Sequence, residues 1–516
     1  MTTTIMGPAR ARWFAALARP RSRALEDARQ SLDAAALVTR IGGAASMLRS
    51  LGVVPGDRVA LLGPPSVEFV VAVLAAQALG AIAVPMSPRH TEGELVHVVS
   101  DSDPRLLVLA STQDERLVSI GPERRRVGLD ALAHVDAAPL EPVALEDEAI
   151  ALLIYTSGTT GRSKGVALPW RALIGNMAAL GRAWHFGPDD VLSLALPLFH
   201  VHGLAIGIFA AMLHGVAVRL HPRFDPAQVV RDVADHGASV FMGVPTMYVQ
   251  LLAHLAREPD DAAVLARARL FTAGSAALTP DVFHRFEAAT GHAILERYGM
   301  TETLITLSNP YQGPRRVGTV GCPVQGVEIR VVDDDGRPLD AVDGRMGELQ
   351  VRGSSLMQGY WRDDVATAAA FDGPWFRTGD VVTIDACGHV RIVGRSSTDI
   401  IKSGGFKLSA REVEDVLREH AWVADIAVFA VADATWGEHV TAAIVPAPGC
   451  PALAELHTVL TAFARAHLAD YKCPRQWLLL DELPRNGMGK LEKSALRRRV
   501  ERDYPDDVDL RAIQTR

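Results

Sequence analysis

Short runs of β-branched and aliphatic residues alternate with longer stretches of helical periodicity through the first three quarters of the chain. Arg58-Val59-Ala60-Leu61-Leu62, Leu106-Leu107-Val108-Leu109, Val191-Leu192-Ser193-Leu194-Ala195 and Ser239-Val240-Phe241-Met242 predict strands, and Ala227 to Asp235 and Pro280 to Thr290 predict helices. Strands that are apolar on both faces and separated by helices belong to parallel sheets with helical covers, so the fold class is α/β. The longest apolar run, Phe69 to Pro85, is interrupted by Gln77 and Gly80. It predicts a buried helix followed by the strand Ala81-Ile82-Ala83-Val84, and no membrane span.

From about residue 327 to residue 394 the pattern changes to brief alternating strands with Asp-Gly turns, which predicts a β-rich, barrel-like subdomain. Mixed helix and strand return after Arg395, for long enough to form a small α+β domain. The expected organisation is an N-terminal domain over 1–394, a hinge over 395–399 and a mobile C-terminal domain over 400–516. Ser409-Ala410-Arg411-Glu412 has the spacing of a capping box, and Val413, Val416 and Leu417 continue it with helical periodicity.

Composition narrows the class. The chain has 516 residues, more than one hydrophobic core usually supports. A net charge of -7 offers no basic field for nucleic acid. Four scattered cysteines, without a Cys-x-x-Cys pair, argue against a zinc site or disulfide framework and for a reducing cytoplasm. Arg10, Arg12, Arg19, Arg21 and Arg23 precede the first acid, Glu26, as in a mitochondrial presequence. Arginine and alanine are frequent throughout, so this reads as compositional bias, and a cytoplasmic location is expected.

The strongest chemical signal is Tyr155-Thr156-Ser157-Gly158-Thr159-Thr160-Gly161-Arg162-Ser163-Lys164-Gly165, entered directly from the apolar run Ala149 to Ile154. Its glycines let backbone amides approach a ligand, its hydroxyls add adjustable donors, and Lys164 adds a positive charge. Such a loop holds a polyphosphate. It lacks the Gly-Lys-Ser/Thr ending of the common nucleotide loop, so a different enzyme class is implied.

Five further segments join it in order: Arg297-Tyr298-Gly299-Met300-Thr301-Glu302-Thr303, Arg377-Thr378-Gly379-Asp380, Gly394-Arg395, Ser403-Gly404-Gly405-Phe406-Lys407 and Pro484-Arg485-Asn486-Gly487-Met488-Gly489-Lys490. Together they resemble the signature segments of the adenylate-forming enzymes, a family that includes acyl-CoA synthetases, and the resemblance spans almost the whole chain. It implies two half-reactions: a carboxylate attacks the α-phosphorus of ATP to give an acyl-adenylate and pyrophosphate, and a thiol then displaces AMP. ATP, Mg2+ and coenzyme A, or a carrier-protein pantetheine, are the implied partners.

By the same resemblance, Thr156, Ser157, Gly158, Thr159, Thr160, Gly161 and Lys164 grip the β- and γ-phosphates. Glu302 holds the magnesium ion and Thr301 lies near the α-phosphate. Tyr298 faces the adenine opposite Gly274, Ser275 and Ala276, and Asp380 accepts the ribose hydroxyls, with Arg395 as its partner on the hinge side. Lys490 supplies the cation for adenylation, and Gly404 and Gly405 line the thiol tunnel once the small domain has rotated. The chain departs from the family pattern at the hinge, where Ser397 and Thr398 precede Asp399 with one extra residue.

Arg-Tyr-Gly-Met-Thr-Glu-Thr, beginning at Arg297, resembles the malonyl-CoA synthetase branch, as do Pro197-Leu198-Phe199-His200-Val201-His202-Gly203 and Gly243-Val244-Pro245-Thr246-Met247-Tyr248. A guanidinium in the acyl pocket grips a second carboxylate in a bidentate fork. That implies malonate or methylmalonate as the acid; the open alternatives are a fatty or aromatic monocarboxylate, or delivery to a carrier protein. Arg297 is either this specificity residue or a structural cation paired with Glu296 or another acid. His200 gates or lines the acyl pocket, and His202 reads as a satisfied packing residue.

Overall fold

The computed structural model describes residues 6–117, 120, 124–156, 163–339, 344–396, 399–403, 406–433, 436–451, 453–485, 491–503 and 513–514. Packing divides the chain into one unit of Met1–Ile329 with Val351–Phe376, and a second of Arg330–Gln350 with Arg377–Arg516.

Two sheets organise the first unit. One runs in the order Gly359–Tyr360, Lys164–Pro169, Ile150–Thr156, Ile82–Met86, Arg58–Leu62, Leu106–Leu109 and Arg126–Gly128. Its centre is parallel, with Arg58–Leu62 between Ile82–Met86 and Leu106–Leu109. Lys164–Pro169 folds back antiparallel on Ile150–Thr156. The helix Val67–Ala78 is apolar around nearly its whole circumference, and all of its residues are buried, as such a surface requires. Ser66 caps it by accepting from the Phe69 amide. Gln77, its one amide side chain, donates to the Ala151 carbonyl.

The other sheet is ordered Cys322–Pro323, Leu304–Ser308, Leu295–Met300, Leu270–Ala273, Val240–Gly243, Val191–Leu194, Ala217–Leu220, Leu25–Glu26 and Ser31–Leu32. Parallel pairs again form its middle. Helices Pro226–His236 and Pro280–Thr290 each start on a proline and end on a left-handed glycine, Gly237 and Gly291. That is the residue order helix ends favour. Phe241, Tyr248, Phe271 and Phe286 form an edge-to-face and tilted aromatic core beside the strands that carry the site.

In the second unit, Val423–Asp433 and Gly437–Pro446 form a long antiparallel pair, and Gln476–Leu479 adds a parallel neighbour. Ser409 caps the helix Ala410–Arg418 through the Glu412 amide at 3.3 Å, and Val413 and Leu417 enter a core with Leu456, Leu460 and Trp477. The β-rich stretch expected from 327 to 394 contains strands, but packing divides it between the units inside that stretch. The expected hinge at 395–399 concerns motion rather than packing. No helix among the described residues is long and apolar enough to cross a membrane.

Candidate active site

Strand pairing brings the ends of the polyphosphate-type loop together. Thr156 and Lys164 are register partners on adjacent antiparallel strands, as are Tyr155 and Gly165. Residues 157–162 between them, which include Ser157, Gly158, Thr159, Thr160 and Gly161, lie outside the described residues. Both flanks are anchored: the Tyr155 hydroxyl donates to Asp101, and His97 Nε2 lies 2.7 Å from the Ser163 carbonyl. Gly165 has no room for a side chain, since a Cβ would meet the Tyr155 ring at 3.1 Å and Trp361 at 3.2 Å.

Lys164 Nζ sits 5.1 Å from the centre of the Tyr360 ring, a cation–π distance. The Tyr360 hydroxyl in turn donates to Glu302 Oε1 at 3.1 Å. Tyr360 is placed by pairing with Val166, and Glu302 by its own carbonyl, which accepts from the Met357 amide at 2.8 Å. The loop cation and a buried acid are therefore linked through one phenol. Thr301 and Glu302 are both buried. No three His, Cys, Asp or Glu side chains among the described residues converge as a self-sufficient metal cage. Magnesium fits Glu302 all the same, because this ion is usually held by one or two carboxylates plus the phosphate oxygens of a nucleotide.

Arg297 lies on strand Leu295–Met300, opposite Ser308. Thr272 is the register partner of Leu295, so two residues further on Gly274 and Arg297 share a face. Gly274 is where the guanidinium lies: a Cβ there would be 2.4 Å from Cζ. Glu296 points to the opposite face and accepts from the Gly318 amide at 3.2 Å. Arg297 is 4% exposed, and its Nε and Nη2 have no hydrogen-bond partner among the described residues. Burial lowers its pKa to about 9. A buried guanidinium with unfilled donors is costly, and an anionic ligand removes that cost.

The histidines crowd the same region. His200 is half-buried, and burial holds its pKa down to about 4. His202 opens a π-helical stretch, His202–Phe209, a form of helix frequent at functional sites. Gly203 permits it, because a Cβ would strike the Pro197 carbonyl at 2.2 Å. His202 Nδ1 contacts Ser275 Oγ at 3.0 Å, while its buried Nε2 has no partner among the described residues. The expectation of a satisfied packing histidine is thus corrected. Ser275 is held at φ 67, in the left-handed region that non-glycine residues rarely adopt. Ser275 and Ala276 are exposed, and Tyr298 is half-buried.

In the second unit Asp380 and Arg395 are cross-strand partners, joined by an Nε–Oδ1 contact of 2.8 Å. Asp380 is 4% exposed, so its carboxylate is held by this pair in a largely dry setting. The Arg395 amide donates to Asp399 Oδ2 at 3.0 Å, and Asp399 Oδ1 meets Lys493 at 2.7 Å. Lys493 also contacts the buried Glu414 at 2.7 Å. Gly404, Gly405, Ser397, Thr398 and Lys490 lie outside the described residues.

The contact of Tyr360 with Glu302 and the contact of His202 with Ser275 were not found from sequence. Tyr360 reaches Glu302 only because a strand far along the chain pairs with Lys164–Pro169, and no local motif announces that.

Residues 13–361 match the model of the AMP-binding enzyme family, and residues 412–490 match the AMP-binding enzyme C-terminal domain. The malonate–CoA ligase of Arabidopsis thaliana is 36% identical over 487 residues, covering 87% of this chain and 79% of that protein. The crystal structure of ATP-bound MatB from Rhodopseudomonas palustris is 35% identical with a TM-score of 0.87, covering 96% of this chain and 99% of that one. A malonyl-CoA ligase in a ternary product complex with methylmalonyl-CoA and AMP is 41% identical with a TM-score of 0.69, covering 93% of this chain and 100% of that one. With both family models matched in order along an α/β scaffold, the chain belongs to the AMP-binding enzymes, the adenylate-forming family of acyl-CoA synthetase type.

Proposed function

We propose that this AMP-forming acid–CoA ligase takes malonate or a methyl-substituted malonate, activates it with ATP, and passes the acyl group to coenzyme A in the cytoplasm. The carrying observation is Arg297: a buried cation with two nitrogens unfilled and no acid as its salt-bridge partner among the described residues. The adenylating parts serve many acids, so the choice of acid falls to the acyl pocket. A monocarboxylate with an apolar chain leaves the guanidinium unpaired, at a cost of several kcal/mol. A dicarboxylate fills it.

In the first half-reaction one malonate carboxylate oxygen attacks the α-phosphorus and the bond to pyrophosphate breaks. Two anions must meet, so cations and donors have to be in place beforehand. We assign Thr156, Ser157, Gly158, Thr159, Thr160, Gly161 and Lys164 to the β- and γ-phosphates, and Thr301 to the α-phosphate. Magnesium, when bound, neutralises phosphate charge, and Glu302 would hold it. Tyr298 and the Gly274-Ser275-Ala276 segment are assigned to adenine, Asp380 and Arg395 to ribose, and Lys490 to the charge that builds as the carboxylate closes on phosphorus. His200 is assigned to the acyl pocket.

In the second half-reaction the CoA thiolate attacks the acyl carbon and AMP leaves. The small domain is proposed to rotate about residues 395–399, so that Lys490 withdraws and Gly404 and Gly405 border the thiol path. The test is product analysis: purified protein with malonate, ATP, Mg2+ and CoA should yield malonyl-CoA, AMP and pyrophosphate. ADP and phosphate as products, or no thioester from any dicarboxylate, would overturn the assignment.

A further inference from the structure

A single helix holds both arms of the loop that runs from Thr156 to Lys164. Glu92–Ser102 carries His97 and Asp101 four residues apart, and so on one face, against the strands that enter and leave the loop. Asp101 accepts from the hydroxyl of Tyr155, the residue before Thr156, and His97 Nε2 lies 2.7 Å from the carbonyl of Ser163, the residue before Lys164. The His97 ring also stands edge-on to Tyr155, with 6.1 Å between centres. Burial, followed by the bond to Asp101, pushes the Tyr155 pKa up, so its hydroxyl remains a donor. The helix is itself a firm support. Thr91 and Glu94 close a capping box at its start, and Leu95, Val98 and Val99 are buried in one core with Leu153 of the entering strand and Ala167 of the leaving one.

We propose that His97 is a positioning residue for ATP, acting through the Ser163 carbonyl on the arm that carries Lys164. A carbonyl only accepts hydrogen bonds, so Nε2 bears the proton that is donated. The Ser163 carbonyl and the Lys164 amide share one peptide plane, and a bond to the first orients the backbone from which the lysine side chain leaves. That side chain ends 5.1 Å from the centre of the Tyr360 ring, whose hydroxyl donates to Glu302. With Asp101 holding the entering arm, neither end of the loop has to be ordered when a polyphosphate arrives, and less conformational freedom is lost on binding. The inference rests on the assignment of this loop to the β- and γ-phosphates. AMP lacks both, as does an acyl-adenylate, so the effect of His97 falls on ATP and spares them.

The test uses the full-length protein and two readouts: equilibrium binding of ATP with Mg2+ and of AMP, and thioester formation from supplied malonyl-AMP and CoA. His97→Phe keeps a ring against Tyr155 and removes the donor, whereas His97→Gln places an amide donor near Nε2. His97→Leu is a second donor-free variant should Phe fail to fold. The donor-free variant is expected to weaken ATP binding about 5- to 10-fold, as the loss of one hydrogen bond does, with AMP binding and thioester formation within about twofold of the natural protein. Gln should recover most of the ATP affinity. Unchanged ATP binding, equal weakening of ATP and AMP, or no recovery by Gln would overturn the role of His97. If Lys164→Ala weakens ATP binding and the donor-free variant does not, only this inference falls. If Lys164→Ala also leaves ATP binding unchanged, the assignment of the loop to the phosphates falls with it.

Discussion

The Arg297 guanidinium occupies the space in which a side chain on Gly274 would stand, with Cζ and Nη1 each 2.4 Å from where that Cβ would be. Glycine is therefore required here by the arginine. Gly274→Ala should displace the guanidinium, raise the malonate KM by at least about tenfold, and cost about 1–3 kcal/mol of stability through overpacking. Steady-state kinetics and a thermal melt check both. An unaltered malonate KM would mean that the position of Arg297 does not matter to the acid.

Glu302 accepts from Tyr360, whose ring carries Lys164. Glu302→Gln should slow adenylation by about 10²–10³-fold and raise the magnesium concentration needed for half-maximal rate. Tyr360→Phe removes one hydrogen bond to the carboxylate and should cost about tenfold. Magnesium titrations of pyrophosphate release check this; a magnesium dependence unchanged in Glu302→Gln would place the ion elsewhere.

Acid sensitivity should appear in two windows. Burial lowers the His200 pKa from 6.5 to about 4, and His202 shifts in the same direction. Between those values the unfolded chain binds more protons, so stability falls as pH drops from about 6.5 towards 4. Glu26, whose pKa is lowered from 4.5 to about 2, chiefly by Arg23, acts later. Its contribution is present above about 4.5 and is lost as pH falls towards 2. Melting temperatures measured from pH 7 to 4 should show a shallower decline in His200→Gln than in the natural protein. Identical slopes would remove His200 from the account.

Lys490 is assigned to the first half-reaction alone. Lys490→Ala should lose adenylate formation yet still convert supplied malonyl-AMP and CoA into malonyl-CoA. Loss of both steps in parallel would contradict alternation of the small domain.

Much of the scaffold could be read directly. Leu106–Leu109 and Pro280–Thr290 form where the pattern placed them, and Val67–Ala78 with Ile82–Met86 is the helix and strand expected within Phe69 to Pro85. Continuous apolar runs and terminal capping residues are local signals, and local signals survive into the fold. Relations set by non-local pairing were not readable. Arg297 stands apart from Glu296 because consecutive strand residues face opposite ways, whereas its nearness to Gly274 depends on the parallel register of Leu270–Ala273 with Leu295–Met300. His202 was read as packing because nothing in sequence places Ser275 beside one ring nitrogen and leaves the other unfilled. The division of the β-rich stretch at residues 330, 351 and 377 likewise follows from packing that no turn motif marks.

The central claim is that this chain couples a dicarboxylate to AMP and selects it through Arg297. The most direct measurement is exchange of labelled pyrophosphate into ATP with malonate, methylmalonate, acetate and an aromatic acid, for the natural protein and Arg297→Ala. Malonate and methylmalonate should dominate, and the substitution should lower their kcat/KM by about 30-fold or more, matching the 2–5 kcal/mol lost when one partner of a buried charge pair is removed. Equal exchange with acetate and malonate, unaffected by Arg297→Ala, would contradict it.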